Sequence, residues 1–275
     1  MSVKLIGLDL DKTTLNSQRK ITDRTRRALE EAAEKGIHVV IATGRSFYSM
    51  PQDVYSIKGL EFSVNSNGAE IRELTNKNVI YRNCISPEAI DQIHKFLSSK
   101  DYLIEVFTDG RAYIEKKEYE DIRDYKRPFR ARDYVVETRN PVENLMAFMY
   151  EHRERIENIN IFFGSDQEKN EAFEDMQILE NVTLTSSMPD NLEIGGKTTS
   201  KASALDFLAQ KYNILPEEVM CCGDSLNDSA MLEYAGYKVA MGNACEEIKA
   251  IANYHTDSND EDGVAKAIEH LALGK

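Results

Sequence analysis

Short apolar runs recur at both ends of the chain, each leading into a polar turn and then into helical spacing. Residues 3–8, VKLIGL, have the length and composition of a buried strand. Thr22 stands where it can cap a helix reaching about Lys35, with Leu29, Ala32 and Ala33 spaced among charges and Gly36 to end it. Residues 37–42, IHVVIA, form the next strand, and helical spacing continues over 46–56. Strand, helix and strand in that order imply parallel pairing and a right-handed crossover. A short strand at 62–64, the polar turn Asn65-Ser66-Asn67-Gly68, and a hairpin of 69–73 with 79–82 follow.

From Ser86 the texture changes. Ser86-Pro87-Glu88 starts a helix to about Ser99, with proline at its first position. Strands at 102–108 and 111–115 flank Asp109-Gly110, a strong hairpin signal. The charged stretch 118–132 is expected to be partly helical, and 142–152 helical after Pro141. A strand at 159–163, a helix at 165–176 and strands at 182–186 and 191–194 complete this region. The strand–helix alternation then resumes, with helices at 202–212, 229–234, 245–252 and 263–273 around strands at 219–222, 237–240 and near Tyr254. The expected fold is α/β: a doubly wound, Rossmann-like parallel-sheet core from residues 1–83 and 195–275, with an inserted α/β domain at 84–194.

Composition narrows the class. The 275 residues suffice for two modest cores, and 41% hydrophobic with 29% charged residues is the balance of a soluble globular chain. The net charge of −13 disfavours nucleic acid, whose phosphates need Lys/Arg surfaces. Cys84, Cys221, Cys222 and Cys245 show no paired metal spacing, which fits a reducing cytoplasm. Asp9 and Asp11 come too early for a signal-peptide core, and no apolar run approaches a membrane span. The five histidines are scattered without ligand spacing.

The chemistry gathers where strands end. Asp9 and Asp11 follow the first strand, and if the chain stays extended they face one site, because residues two apart point the same way. Thr43 follows the second strand, and Asp224, Asn227 and Asp228 follow the strand at 219–222. In open α/β sheets this is the edge where ligands bind. Clustered carboxylates repel one another unless a cation or a shared proton sits between them, and Mg²⁺ takes hard oxygen ligands and shields an anionic substrate from the carboxylates. Asp9 can act as a covalent nucleophile, Asp11 as general acid and base, and Thr43 and Lys201 as donors to a phosphoryl group. Lys201 is preferred to Lys197 because it directly precedes a helix. Tyr102, Phe107, Tyr113 and Phe129 are read as packing, and Lys126, Arg127, Arg130 and Arg132 as a solvated face.

Taken as a set, Asp9-Leu10-Asp11-Lys12-Thr13, Ala42-Thr43-Gly44-Arg45, the lysine ahead of a helix, and Gly223-Asp224-Ser225-Leu226-Asn227-Asp228 resemble the motifs of the haloacid dehalogenase superfamily. The insertion resembles the large cap of its Cof-like sugar-phosphatase branch. The resemblance implies Asp9 as nucleophile and Mg²⁺ ligand, Asp11 as acid/base with its carbonyl on the metal, and Asp224 as the third protein ligand. It implies phosphate contacts from the Leu10 backbone, Thr43, Gly44, Lys201 and Asn227, with Asp228 as a supporting acid. The family usually carries glycine where this chain has Lys12; if that position is left-handed, a side chain there carries a steric cost. The expectation is a cytoplasmic, Mg²⁺-dependent phosphatase of small phosphorylated metabolites, sugar phosphates first among them, working as a monomer or weak homo-oligomer without nucleic acid or membrane. Two alternatives stay open: a phosphotransferase or phosphomutase on the same scaffold, and a phosphometabolite-binding regulator with little catalysis, favoured by Lys12 alone.

Overall fold

The computed structural model describes residues 2–275. In chain order the first elements are β1 (Leu5–Leu8), α1 (Asp23–Glu34), β2 (His38–Ala42), α2 (Gln52–Tyr55), β3 (Phe62–Asn65), β4 (Glu70–Glu73) and β5 (Val79–Arg82). The middle of the chain gives α3 (Pro87–Leu97), β6 (Leu103–Thr108), β7 (Arg111–Glu115), α4 (Lys116–Arg123), α5 (Arg132–Thr138), β8 (Arg139–Val142) and α6 (Leu145–Glu151). It continues with β9 (Ile156–Phe162), α7 (Asp166–Met176), β10 (Val182–Thr185) and β11 (Asn191–Gly196). The last part holds α8 (Lys201–Lys211), β12 (Val219–Gly223), α9 (Ser229–Tyr234), β13 (Tyr237–Ala240), α10 (Glu246–Ile251), β14 (Tyr254–His255) and α11 (Gly263–Leu271).

The chain folds into two compact units. The first comprises Met1–Gly44, Met50–Arg82 and Ser200–Lys275. The second comprises Asn83–Thr199 together with Arg45–Ser49. The first unit is built on one sheet, ordered β14-β13-β12-β1-β2-β3-β4-β5. Its strands from β14 to β3 run parallel, and the β3-β4-β5 meander adds an antiparallel edge. β1 lies in the middle, paired with β12 on one side and β2 on the other. Its residues are buried on both faces, as the continuous apolar run requires of a central parallel strand. Helix α1 is capped by the Thr22 hydroxyl, which accepts from the Thr25 N–H, and it buries Thr25, Ala28, Leu29 and Ala32 as a single face. Gly7 lets α8 approach β1: a Cβ there would lie 2.6 Å from Leu205 Cδ1.

The second unit has its own sheet, ordered β10-β11-β9-β6-β7-β8 and antiparallel except for the β7–β8 pair. One face carries the apolar residues Ile104, Val106, Ile159, Ile161, Leu192 and Ile194, packed with Ile90, Ile93 and Leu97 of α3 and with Leu145 and Met149 of α6. The Asp109-Gly110 turn has positive φ at both residues, 49° and 74°, as a tight hairpin turn of the primed type demands.

Three local expectations are corrected. The helix expected over 46–56 is broken: a 3₁₀ turn, Phe47–Ser49, and the short α2 lie on either side of Met50 and Pro51, because proline disfavours helical geometry in the residue before it. The helix expected over 142–152 starts later, at Leu145, and Val142 ends β8, an edge strand where the missing N–H of Pro141 is tolerated. Arg130 does not lie on a solvated face. It is 8% exposed and donates to the buried Glu105 carboxylate, which also accepts two bonds from Arg139 at 2.7 and 2.9 Å.

Candidate active site

The first strand delivers Asp9 and then stops being a strand. Asp9 is extended (φ −63°, ψ 157°), and its N–H donates to the Cys222 carbonyl at 3.0 Å, tying it to the end of β12. A wide helical turn, Leu10–Thr14, follows, closed by the Leu15 N–H donating to Leu10 O at 2.8 Å. Lys12 within it is left-handed (φ 59°, ψ 8°). The turn changes the expected geometry. Period-two alternation ends at Asp9, which is 6% exposed, while Asp11 is an exposed residue of the turn. Leu10 is buried.

The acidic cluster is completed from the carboxyl end of β12. Carboxylate oxygens of Asp9, Asp224 and Asp228 all lie within 4.8 Å of one another, and all three residues are buried. Each is held by specific donors. Asp224 accepts from the Thr13 and Ser225 hydroxyls, both at 2.8 Å, one on each oxygen. Asp228 accepts from the Asp224 and Ser225 N–H groups at 2.9 and 3.1 Å on one oxygen, and from Lys201 at 2.6 Å on the other. Asp9 accepts from Lys201 at 2.6 Å on Oδ1, and among the described residues its Oδ2 accepts no hydrogen bond. The Thr14 hydroxyl holds the Asp9 carbonyl at 2.6 Å.

Lys201 is the first residue of α8 and is fully buried. The Ser200 hydroxyl accepts from the Ser203 N–H and the Ser203 hydroxyl accepts from the Ser200 N–H, a reciprocal cap that fixes where the helix begins. Lys197 is exposed and donates to Asn181. It is therefore Lys201 that bridges two of the three carboxylates.

Three carboxylates facing one ammonium leave the cluster short of positive charge. Burial pushes the Asp9 carboxyl well above the carboxylate range, against the pull of Lys201, and the charges of Asp228 and Asp224 add to the rise. Burial, with Asp228 beside it, raises Asp224 to about 6. Burial disfavours the Lys201 charge, but Asp228 and Asp9 outweigh it and hold the ammonium above the lysine range. Oxygen-only donors, buried and under-compensated, are the chemistry that suits a hard divalent cation.

A second group of polar residues comes from β2, β3 and the loop after β12. Thr43 is 1% exposed, and its N–H donates to Val64 O at 2.9 Å. Gly44 and Asn227 are half-buried. Asn67 links them: its N–H donates to Thr43 O at 3.1 Å, and its Oδ1 accepts from Asn227 Nδ2 at 3.1 Å. Sequence reasoning read the Asn65–Gly68 stretch as a turn and missed Asn67. The Asn-Gly pair gave a turn signal, but nothing local tells a solvated turn from one folded against two other loops.

Comparison with known proteins spans nearly the whole chain. A family model described as haloacid dehalogenase-like hydrolase matches residues 6–268. The chain belongs to this family. It is 33% identical over 274 residues to the 5-amino-6-(5-phospho-D-ribitylamino)uracil phosphatase YcsE of Bacillus subtilis, covering 99% of this chain and 97% of that protein. It is 35% identical to phosphatase YwpJ of the same organism, covering 98% of this chain and 100% of that one. A solved haloacid dehalogenase-like hydrolase from B. subtilis superposes with a TM-score of 0.83 at 32% identity, over 98% of this chain and all of the other. The fold is thus the Rossmann-like α/β fold of that family, and the chain is an enzyme of its phosphatase class. No helix among the described residues is long and apolar enough to cross a membrane.

Proposed function

We propose that this enzyme is a Mg²⁺-dependent phosphatase that hydrolyses small phosphorylated metabolites through an aspartyl-phosphate on Asp9. The observation that carries the reading is the asymmetry of the Asp9 carboxylate. Oδ1 is engaged by Lys201, and Oδ2 accepts no bond among the described residues. Oδ2 attacks phosphorus, the acyl-phosphate bond forms and the ester P–O bond breaks. The departing alkoxide takes a proton from Asp11, whose exposed position suits exchange with a leaving group and then with water. Asp11 then takes a proton from the water that attacks the phosphoryl group, releasing phosphate and restoring Asp9.

Thr43, Gly44, Lys201, Asn227 and the Leu10 backbone are the proposed phosphoryl contacts. Asp9, the Asp11 carbonyl and Asp224 are the proposed Mg²⁺ ligands. Asp228 supports them by holding Lys201 and the Asp224 and Ser225 N–H groups. The donor set fits the ion. When bound, Mg²⁺ would neutralise the approaching phosphate dianion and the carboxylates around it.

Sugar phosphates are the proposed substrate class, and two relatives named as phosphatases of a phosphorylated ribitylamino compound support a polyol-phosphate among them. The cytoplasmic reading stays with this proposal and rests on four cysteines without paired spacing.

The covalent step has a direct test. Acid quenching during turnover should leave the Asp9 peptide heavier by one phosphoryl group. Asp9→Asn should lose both the adduct and turnover, by a factor of about 10³ or more. An active Asp9→Asn enzyme would exclude this mechanism.

A further inference from the structure

One short loop touches three of the elements that carry the proposed phosphoryl contacts. After β3 the chain makes three consecutive left-handed residues, Ser66 (φ 50°), Asn67 (φ 57°) and Gly68 (φ 102°). Asparagine tolerates this conformation, but for serine it is costly and needs the surroundings to impose it. The surroundings are identifiable. The Asn67 N–H donates to Thr43 O, and a Cβ built on Gly44 would lie 3.0 Å from Asn67 Oδ1, so the loop abuts the Thr43-Gly44 turn. A Cβ on Gly68 would lie 2.0 Å from Ser200 O, so glycine is required for the loop to meet the cap of α8, whose first residue is Lys201. The Asn67 Oδ1 accepts from Asn227 Nδ2 at 3.1 Å. Asn67 is 8% exposed.

We infer that Asn67 is a positioning residue for phosphoryl binding, acting through the Asn227 amide. A primary amide offers two N–H donors on one side and a carbonyl oxygen on the other, and rotation by half a turn exchanges them. A phosphoryl oxygen needs the donor. An acceptor at Asn67 Oδ1 binds one Nδ2 hydrogen, which fixes the amide with its nitrogen toward the Thr43-Gly44 turn and leaves the second hydrogen for an anion. Without that acceptor the Asn227 amide can turn its oxygen to the same place, where it repels phosphate. Asn67 thereby also locks the Asn227 loop to the Thr43-Gly44 turn, so two contacts that come from distant parts of the chain keep one spacing. The inference rests on the phosphatase reading of the site and adds a residue to it.

A double-mutant cycle tests it, with inorganic phosphate as the probe and calorimetric binding to the Mg²⁺-loaded enzyme as the readout. Asn67→Gly keeps the left-handed backbone and removes the acceptor. It should weaken phosphate about fivefold, while Asn227→Ala in the wild type should weaken it about tenfold. Once Asn67 is glycine, adding Asn227→Ala should cost no more than about twofold, because the two act as a unit. Asn67→Asp, which also tolerates the left-handed region, keeps an acceptor. In that background Asn227→Ala should again cost its full factor, whatever the new charge does to phosphate binding itself. This second background serves equally if the glycine variant is unstable. Equal, independent losses from Asn67→Gly and Asn227→Ala would overturn the inference, as would an Asn67→Gly enzyme that binds phosphate like the wild type. Wild-type enzyme that neither binds phosphate nor hydrolyses p-nitrophenyl phosphate would instead overturn the phosphatase reading on which the inference stands.

Discussion

Lys12 shows how much one residue can disclose. It stands between Asp11 and Thr13 with φ 59°, in a region where a β-carbon is disfavoured. Its carbonyl is held by Asn243 Nδ2 at 2.9 Å, and the Thr13 hydroxyl beside it holds Asp224. The conformation is therefore imposed by the turn that presents Asp9 and Asp11. Replacing Lys12 with glycine should remove about 1–2 kcal/mol of left-handed strain and return about 0.5–1 kcal/mol of chain entropy. Lys12→Gly should accordingly be more stable by about 0.5–1 kcal/mol in urea unfolding with EDTA present. A lower midpoint would mean that the lysine side chain contributes more than its backbone costs. The steric question at position 12 was legible from the sequence; the exposure of Asp11 was not. Period-two reasoning assumes a strand, and the Leu10–Thr14 turn, with its bond from Leu15 back to Leu10, ends the strand one residue too soon.

At the scale of elements, the ends of β1 and β12 do what their apolar runs promised: they are adjacent, parallel, and set Asp9 beside Asp224 and Asp228. This juxtaposition has a measurable cost in the metal-free protein. The Asp224 carboxyl ordinarily titrates near 3.8 and is raised to about 6 in the folded chain, so the folded state binds more protons between those values. Its contribution to stability is therefore present below about 4 and lost as pH rises through about 6. The loss is up to about 3 kcal/mol, from 2.2 pH units at 1.36 kcal/mol each. In EDTA, the wild type should lose stability relative to Asp224→Asn as pH rises from 4 to 7. Parallel curves for the two proteins would contradict that electrostatic picture. Elements whose signals were local, such as the Thr22 cap, the Ser86-Pro87 start and the Asp109-Gly110 turn, were readable in the sequence. The strand at Arg139–Val142 was not, because its edge position is decided by β7, a partner 27 residues upstream by register (Ile114 with Pro141 among the pairs).

For the whole molecule, the two sheets have different rules. The first is mainly parallel and carries the acidic cluster at its strand ends; the second is mainly antiparallel and hides an ion-paired trio, Glu105 with Arg130 and Arg139, on the face opposite Ile104 and Val106. A run of basic residues in sequence gave no sign that Arg130 would be buried, since its partner lies on β6. The family was legible because four short motifs from distant positions each sit at an element boundary, and the fold brings Asp9, Lys201, Asp224 and Asp228 within hydrogen-bonding or ligand distance. Substrate choice was not legible, since no motif encodes it.

The most direct measurement is phosphate release from a panel of hexose, pentose, triose and polyol phosphates, nucleotides, and flavin and pyridoxal phosphates, with Mg²⁺ and with EDTA. Release should require the metal, return when it is restored, and be strongest on sugar or polyol phosphates. Undiminished release after complete metal removal, or none from folded enzyme on any member of the panel, would contradict the proposed function.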